Sequence, residues 1–196
     1  MKTIEMFNQE LAEACKKAFP DRADDLVFGE GPVRPKLMLI GEAPGDQETL
    51  RKRPFVGKAG KNHDEFLLET HLERKEIYIS NTVKIRPTKT GKSGRISNRP
   101  PDKEELAFFT PWLNQEIRLI RPEILAVLGN TPLHALAGKD VNIGQVHGTM
   151  VPLIEGEGTL FALYHPASLI YNPSLKETYK ADLALLASLV HGKAGK

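Results

Sequence analysis

KLMLIGEAPG, residues 36–45, decides the fold. Lys36 to Ile40 (KLMLI) form a short apolar run that stops at Gly41, so the stretch predicts a buried strand entering a turn. Three more segments resemble it. Glu76–Val83 (EIYISNTV) alternates apolar and polar residues and is rich in β-branched and aromatic types. Glu123–Leu128 is apolar and stops at Gly129, and Gly158–Tyr164 ends directly before His165-Pro166. Helical spacing fills the gaps. Phe66, Leu67, Leu68 and Leu72 repeat within Asp64–Leu72, and after Pro100-Pro101 the residues Leu106, Phe109, Trp112, Leu113, Ile117 and Ile120 share one helical face. Thr131 and Pro132 read as N-cap and first residue of a helix that Gly138 stops. Ser174 and Glu177 read as a capping box for a last helix, with Tyr179, Leu183, Leu186 and Val190 inward. Strands alternating with helices predict an α/β fold with a mainly parallel sheet.

The 196 residues are expected to form a single domain, with residues 1–35 a helix and an extended segment packed on its outside. Hydrophobic residues make up 40% and charged residues 27% of the chain, the balance of a soluble globular protein. The one cysteine, Cys15, allows neither an internal disulfide nor a cysteine-held zinc or iron–sulfur site. With no apolar run of membrane length and no signal-peptide pattern, a cytoplasmic protein without a membrane partner is expected. The net charge of +2 says little, but its distribution says more. Lys84, Arg86, Lys89, Lys92, Arg95 and Arg99 follow one another with no acidic residue between, among Gly91, Ser93, Gly94 and Ser97. A mobile basic loop of this kind suits a polyanion, the plainer alternative being a solvated loop with no partner.

In α/β folds ligands gather at the carboxyl ends of strands. Three segments fall there: Gly41–Gly60, Asn81–Arg86 and His165–Leu169. The first reads GEAPGDQETLRKRPFVGKAG, and its glycines let backbone approach a ligand closely. Glu42, Asp46 and Glu48 crowd negative charge into this turn, and the spacing is not that of a phosphate-binding P-loop. Acidic groups here fit the stabilisation of a positive reaction centre or the polarising of a water.

The same segment resembles the signature of the family 4 uracil-DNA glycosylases, the thermostable class that carries an iron–sulfur cluster: a G-E-x-P-G turn followed by R-P-F-V-G-x-A-G. The resemblance starts at Val27-Phe28-Gly29-Glu30-Gly31 and runs through Tyr78–Lys84, Arg86-Pro87, Arg121-Pro122 and Leu128-Gly129 to His165-Pro166 and Asn172-Pro173. Alternation and resemblance together set the expected fold as a three-layer α/β/α sandwich around a central, mainly parallel four-stranded sheet. The resemblance implies a glycosylase that cuts the bond between uracil and deoxyribose in DNA; for this chain no metal or organic cofactor is expected, and nothing in the sequence demands more than a monomer.

It also implies roles. Phe55 matches the aromatic that stacks on a flipped base, and Asn81 matches the amide that reads the uracil edge. His165 matches the histidine that stabilises the departing uracil anion. Gly41, Ala43, Pro44, Gly45 and Asp46 complete the substrate-binding turn, with Glu42 and then Glu48 as the candidate catalytic carboxylates. Lys84, Arg86, Lys89, Lys92, Arg95 and Arg99 are expected on DNA, together with Ser168 and with Leu169, placed to wedge into the vacated stack. The other histidines, His63, His71, His134, His147 and His191, read as structural or solvated.

The sequence departs from the class at the cluster. The class uses four cysteines, two near residues 14–17, one in K-C-R-P and one near residue 109; here Cys15 stands alone, Lys84-Ile85-Arg86-Pro87 fills the motif, and Phe108-Phe109-Thr110 fills the last place. A related branch traps DNA covalently with a loop histidine, which this basic loop lacks. Two alternatives stand beside the uracil reading: the same chemistry on another deaminated base such as hypoxanthine, and a DNA-binding descendant without catalysis.

Overall fold

The computed structural model describes residues 2–192, leaving out the side chains of residues 58–63. Helix α1 (Ile4–Ala18) opens on an N-cap at Thr3, whose hydroxyl accepts from the Met6 amide. Its buried Phe7, Leu11 and Cys15 recur at helical spacing. An extended segment follows, and Glu30 exchanges both backbone hydrogen bonds with Ile79. Then come β1 (Leu37–Gly41), α2 (Asp46–Arg51), α3 (Lys58–Thr70) and β2 (Ile77–Asn81). A small hairpin, β3 (Thr88–Thr90) and β4 (Ile96–Asn98), leads to the long α4 (Lys103–Ile120) and β5 (Ile124–Leu128). The chain continues through α5 (Asn130–Ala137), α6 (Ile143–Val146), β6 (Met150–Pro152), β7 (Thr159–Leu163) and α7 (Ser168–Tyr171) to α8 (Lys176–Gly192).

The sheet runs in the order β2-β1-β5-β7-β6. Its first four strands are parallel, which is the expected four-stranded sheet, and β6 adds a fifth, antiparallel to β7. No sequence signal marked β6, because it is three residues long and ends in Pro152. Proline cannot donate to a ladder and is tolerated only at such an edge. β1, β2 and β5 are buried at every residue, as strands covered on both faces must be. Period-two alternation divides their side chains between two cores. Leu37, Leu39, Ile77, Ile79, Ala126 and Phe161 pack toward Phe66 of α3 and Leu183 of α8. Met38, Ile40, Tyr78, Val127 and Ala162 pack toward Leu113 of α4 and Leu133 of α5. Helices therefore cover both faces of the sheet, giving three layers.

Local readings of the sequence change in places. Leu68, grouped with the apolar side of its helix, is 73% exposed. Helix α5 is capped by Gly129, so Thr131 lies inside it. Ser174 does not cap α8; its hydroxyl bonds the Asn172 side chain in the turn before that helix. The basic stretch expected as a mobile loop forms the β3–β4 hairpin, with Gly94 supplying a positive φ of 76° in its turn.

A third cluster sits outside the sandwich, between α1 and α4. Cys15, Ile85 and Phe109, which stand where the resembling class places cluster ligands, meet there with no solvent exposure, among Phe7, Leu11 and Val83. Phe19 stacks on Phe109 at 5.9 Å, and Phe108 meets both rings edge-on. An iron–sulfur cluster does not fit this place. One thiol is available where four ligands are required, and burial pushes it up to about 11, away from the thiolate that metals bind. Aromatic packing fills this place, so Phe109→Ala should cost about 3–5 kcal/mol of stability, as for other large core truncations. Urea unfolding of the two proteins checks this; a loss within ~0.5 kcal/mol, the range of surface substitutions, would show that the cluster region is not part of the stabilising core.

Candidate active site

The chain runs from central β1 outward to β2, then crosses back to β5 on the other side, so a crevice opens at the carboxyl ends of these strands. The β1 end delivers Gly41 and Glu42, β2 delivers Asn81, and the turn after β7 delivers His165. They line a cleft of about 850 Å³ that also receives Phe55 and the hairpin strand β4.

Gly41 is the pivot of this cleft. A Cβ there would lie 2.6 Å from the Asn81 side-chain oxygen and 2.7 Å from the Phe55 ring, closer than real contacts allow. The missing side chain thus brings the Asn81 amide and the Phe55 ring together. Phe55 has a left-handed backbone (φ 55°), which costs a non-glycine residue roughly 1–2 kcal/mol. Arg74 holds it there, donating to the carbonyls of Pro54 at 2.7 Å and Phe55 at 3.3 Å. No sequence signal singled out Arg74, because its role depends on a turn distant in the chain.

Asn81 is fixed from below. Its carbonyl accepts from the Lys84 ammonium at 2.7 Å, and that ammonium also contacts Glu116 at 2.5 Å and the Ser80 hydroxyl. Tyr78 and Ser80 hydroxyls donate to the same Glu116 carboxylate. Lys84 and Glu116 have no exposure, so Lys84 cannot reach a phosphate; the expectation that it binds DNA is corrected. A lone lysine in a basic run gives no hint of burial. The hint lay in Glu116, an acid on the apolar side of α4 that needed a partner.

The carboxylates separate by their partners. Glu48 accepts from the amides of Gly45, Val56 and Gly57 at 3.2, 2.9 and 2.6 Å, so both its oxygens are committed to bracing the turn. Asp46 faces solvent and pairs with Arg86 at 2.7 Å. Glu42 accepts from the Thr131 hydroxyl at 2.5 Å through one oxygen, leaving the other free of hydrogen bonds among the described residues. Thr131, a cap by its sequence context, instead serves as the partner of Glu42 because β5 lies beside β1.

His165 Nδ1 accepts from the Ala167 amide at 3.1 Å, which places the proton of a neutral ring on Nε2. Burial pushes its pKa below the ordinary 6.5, against the opposing pull of the Glu42 charge. The ring is therefore a neutral N–H donor at pH 7. Gly129 (φ 85°) makes room for it, since a Cβ there would meet the His165 Cβ at 3.0 Å. Of the remaining histidines, His147 pairs with Asp182 at 2.8 Å and lies against the Tyr164 ring at 4.6 Å, and His191 bonds the Thr70 carbonyl at 2.9 Å. The side chain of His63 and residue Gly60 lie outside the described side chains.

The cations expected on DNA divide as well. Arg99 pairs with Glu105 and Asp102, and Arg86 with Asp46 and the Asn98 side chain. Arg22 reaches the same Glu105 and the Arg86 carbonyl, locking the hairpin base to the N-terminal segment. Lys89, Lys92 and Arg95 are exposed and make no ion pair among the described residues. Ser168 begins α7 beside His165, its amide donating to the His165 carbonyl at 2.8 Å. Leu169 is half-buried and packs against the core.

The family model described as the uracil DNA glycosylase superfamily matches residues 28–187. A type-4 uracil-DNA glycosylase of Sulfurisphaera tokodaii is 32% identical, with 96% of this chain and 86% of the relative covered. Another from Thermotoga maritima is 35% identical over 76% of this chain and 74% of its own. One from Pyrobaculum aerophilum is 33% identical over 90% and 89%. The chain belongs to the uracil DNA glycosylase superfamily.

Proposed function

We propose that this protein is a DNA repair glycosylase that hydrolyses the bond between uracil and deoxyribose, leaving an abasic site. The observation that carries the reading is the meeting of the Phe55 ring and the Asn81 amide over the bare Cα of Gly41, in one cleft with His165 and Glu42. A flipped pyrimidine would stack on Phe55, and the Asn81 amide, donor and acceptor in one group, would pair with the uracil edge and mismatch that of cytosine. The His165 Nε2–H donates to a uracil carbonyl oxygen as the N1–C1′ bond breaks and the base leaves as an anion. Glu42, oriented by Thr131, faces the cationic sugar and takes a proton from the water that adds at C1′. Glu48 and Asp46 keep the turn in shape. We assign Lys89, Lys92 and Arg95 to the DNA backbone. All these groups come from one chain, which supports a monomer, and we place the activity in the cytoplasm. Among the described residues no helix is long and apolar enough to cross a membrane.

Base release from oligonucleotides carrying a single uracil, hypoxanthine or no lesion tests the reading. Free uracil from the first strand alone is the expected result. Hypoxanthine released in its place would transfer the chemistry to another deaminated base. DNA binding with no release from any strand would leave a binding protein on a glycosylase scaffold.

A further inference from the structure

The hairpin β3–β4 carries an apolar side chain that the fold does not cover. Ile96, the first residue of β4, is 59% exposed within a stretch that holds no acidic residue from Lys84 to Arg99. Its direction follows from its neighbour. The Asn98 side chain accepts from Arg86 and lies 3.6 Å from where a Cβ of Gly45 would stand, so that face of β4 looks onto the turn after β1. Ile96, two residues earlier on the same strand, shares that face, and Ser97 between them also reaches the cleft lining. Ile96 and Arg95 line the cleft together with His165. Arg95 and Lys92 flank it as cations with no partner among the described residues. Leu169, the side chain expected to fill an emptied stack, is meanwhile held against the core.

We propose that Ile96 is an intercalating side chain: the hairpin presses it into the base step beside the extruded nucleotide, while Arg95 and Lys92 hold the adjoining phosphates. The partner is double-stranded DNA, because an apolar wedge gains only where a stack must be opened and kept open. Cations beside an apolar tip match phosphates beside bases. The inference rests on the glycosylase reading above and adds to it a preference of strand context.

Single-turnover uracil release by the wild type and Ile96→Ala, on a duplex and on the same strand unpaired, tests it. Ile96 is exposed, so the variant should fold like the wild type, which a thermal melt verifies. The variant is expected to be ~10-fold or more slower on the duplex and unchanged on the single strand, since only the duplex carries the unstacking cost. Equal loss on both strands, or none on either, would overturn the proposal. A duplex with 2-aminopurine beside the uracil gives a readout that needs no catalysis: the wild type should brighten it on binding more than Ile96→Ala does. Absence of release by the wild type would count against the glycosylase reading, and the fluorescence comparison would still decide the role of Ile96, equal brightening refuting it.

Discussion

His165→Ala is expected to slow uracil release ~10²–10³-fold, the usual cost of removing one donor to a developing anion, while DNA binding stays within a few fold. The reason is positional. His165 sits in the turn after β7, its Nδ1 is engaged by the Ala167 amide, and its Nε2–H is the group left for a ligand in the cleft. The loss should appear in the chemical step, because the anion exists only as the bond breaks. The pH dependence has a definite sign. Burial lowers the imidazole pKa, and the neutral ring is the active donor. The rate limb that belongs to His165 should therefore lie below pH 6.5, with activity maintained as the pH falls through that value. Single-turnover rates across pH 4.5–8 would show it, against a His165→Ala background that lacks this limb. A limb on which activity falls as the pH rises, and which vanishes in the variant, would mean the ring acts charged, contrary to the geometry.

The second large effect is on stability. Lys84→Met should cost about 3–5 kcal/mol, because it strands the Glu116 carboxylate without a counter-charge in a site with no solvent. The double variant Lys84→Met/Glu116→Gln should recover part of that loss, since a neutral amide tolerates burial better than a lone charge. Urea unfolding of the single and double variants measures both. Equal losses in the two would mean that Lys84 contributes packing and little charge pairing. The double variant has a second use. It removes the ammonium that bonds the Asn81 carbonyl, so a double variant that folds yet releases uracil slowly would show that the buried pair positions the base-reading amide.

These two residues mark how far the sequence alone could be read. Leu37–Gly41 and Ile124–Leu128 declare buried strands through unbroken apolar runs, and Gly41 announces the turn that follows. His165 stood out because it lies between a strand and a proline. Strand ends were enough to gather Gly41, Asn81 and His165 at one edge of the sheet. What escaped depended on partners distant in the chain. Lys84 looked like one more cation of a basic loop, and only Glu116, on a helix folded over the same strand, makes it a core residue. Glu48 looked like a candidate for catalysis until three backbone amides claimed its oxygens. Arg86 and Arg99 lost their availability to Asp46 and Glu105 in the same way. Charge is visible in a sequence, but its neutralisation requires the fold. β6 and the β3–β4 hairpin were missed for a different reason: strands of three residues are too short to show a period.

The packing of Cys15, Ile85 and Phe109 into one apolar cluster stands where the class that the sequence resembles has its cluster ligands. That apolar cluster lies between α1 and α4, and Ala43 of the turn after β1 packs against it, so it backs the candidate pocket at the ends of β1, β2 and β7.

The most direct test of the account is uracil release by purified protein whose iron content is measured on the same sample. Full turnover on uracil-containing DNA is expected, with no stoichiometric iron and no change after chelator treatment. Activity that tracks bound iron, or no uracil release from an iron-free and folded chain, would contradict it.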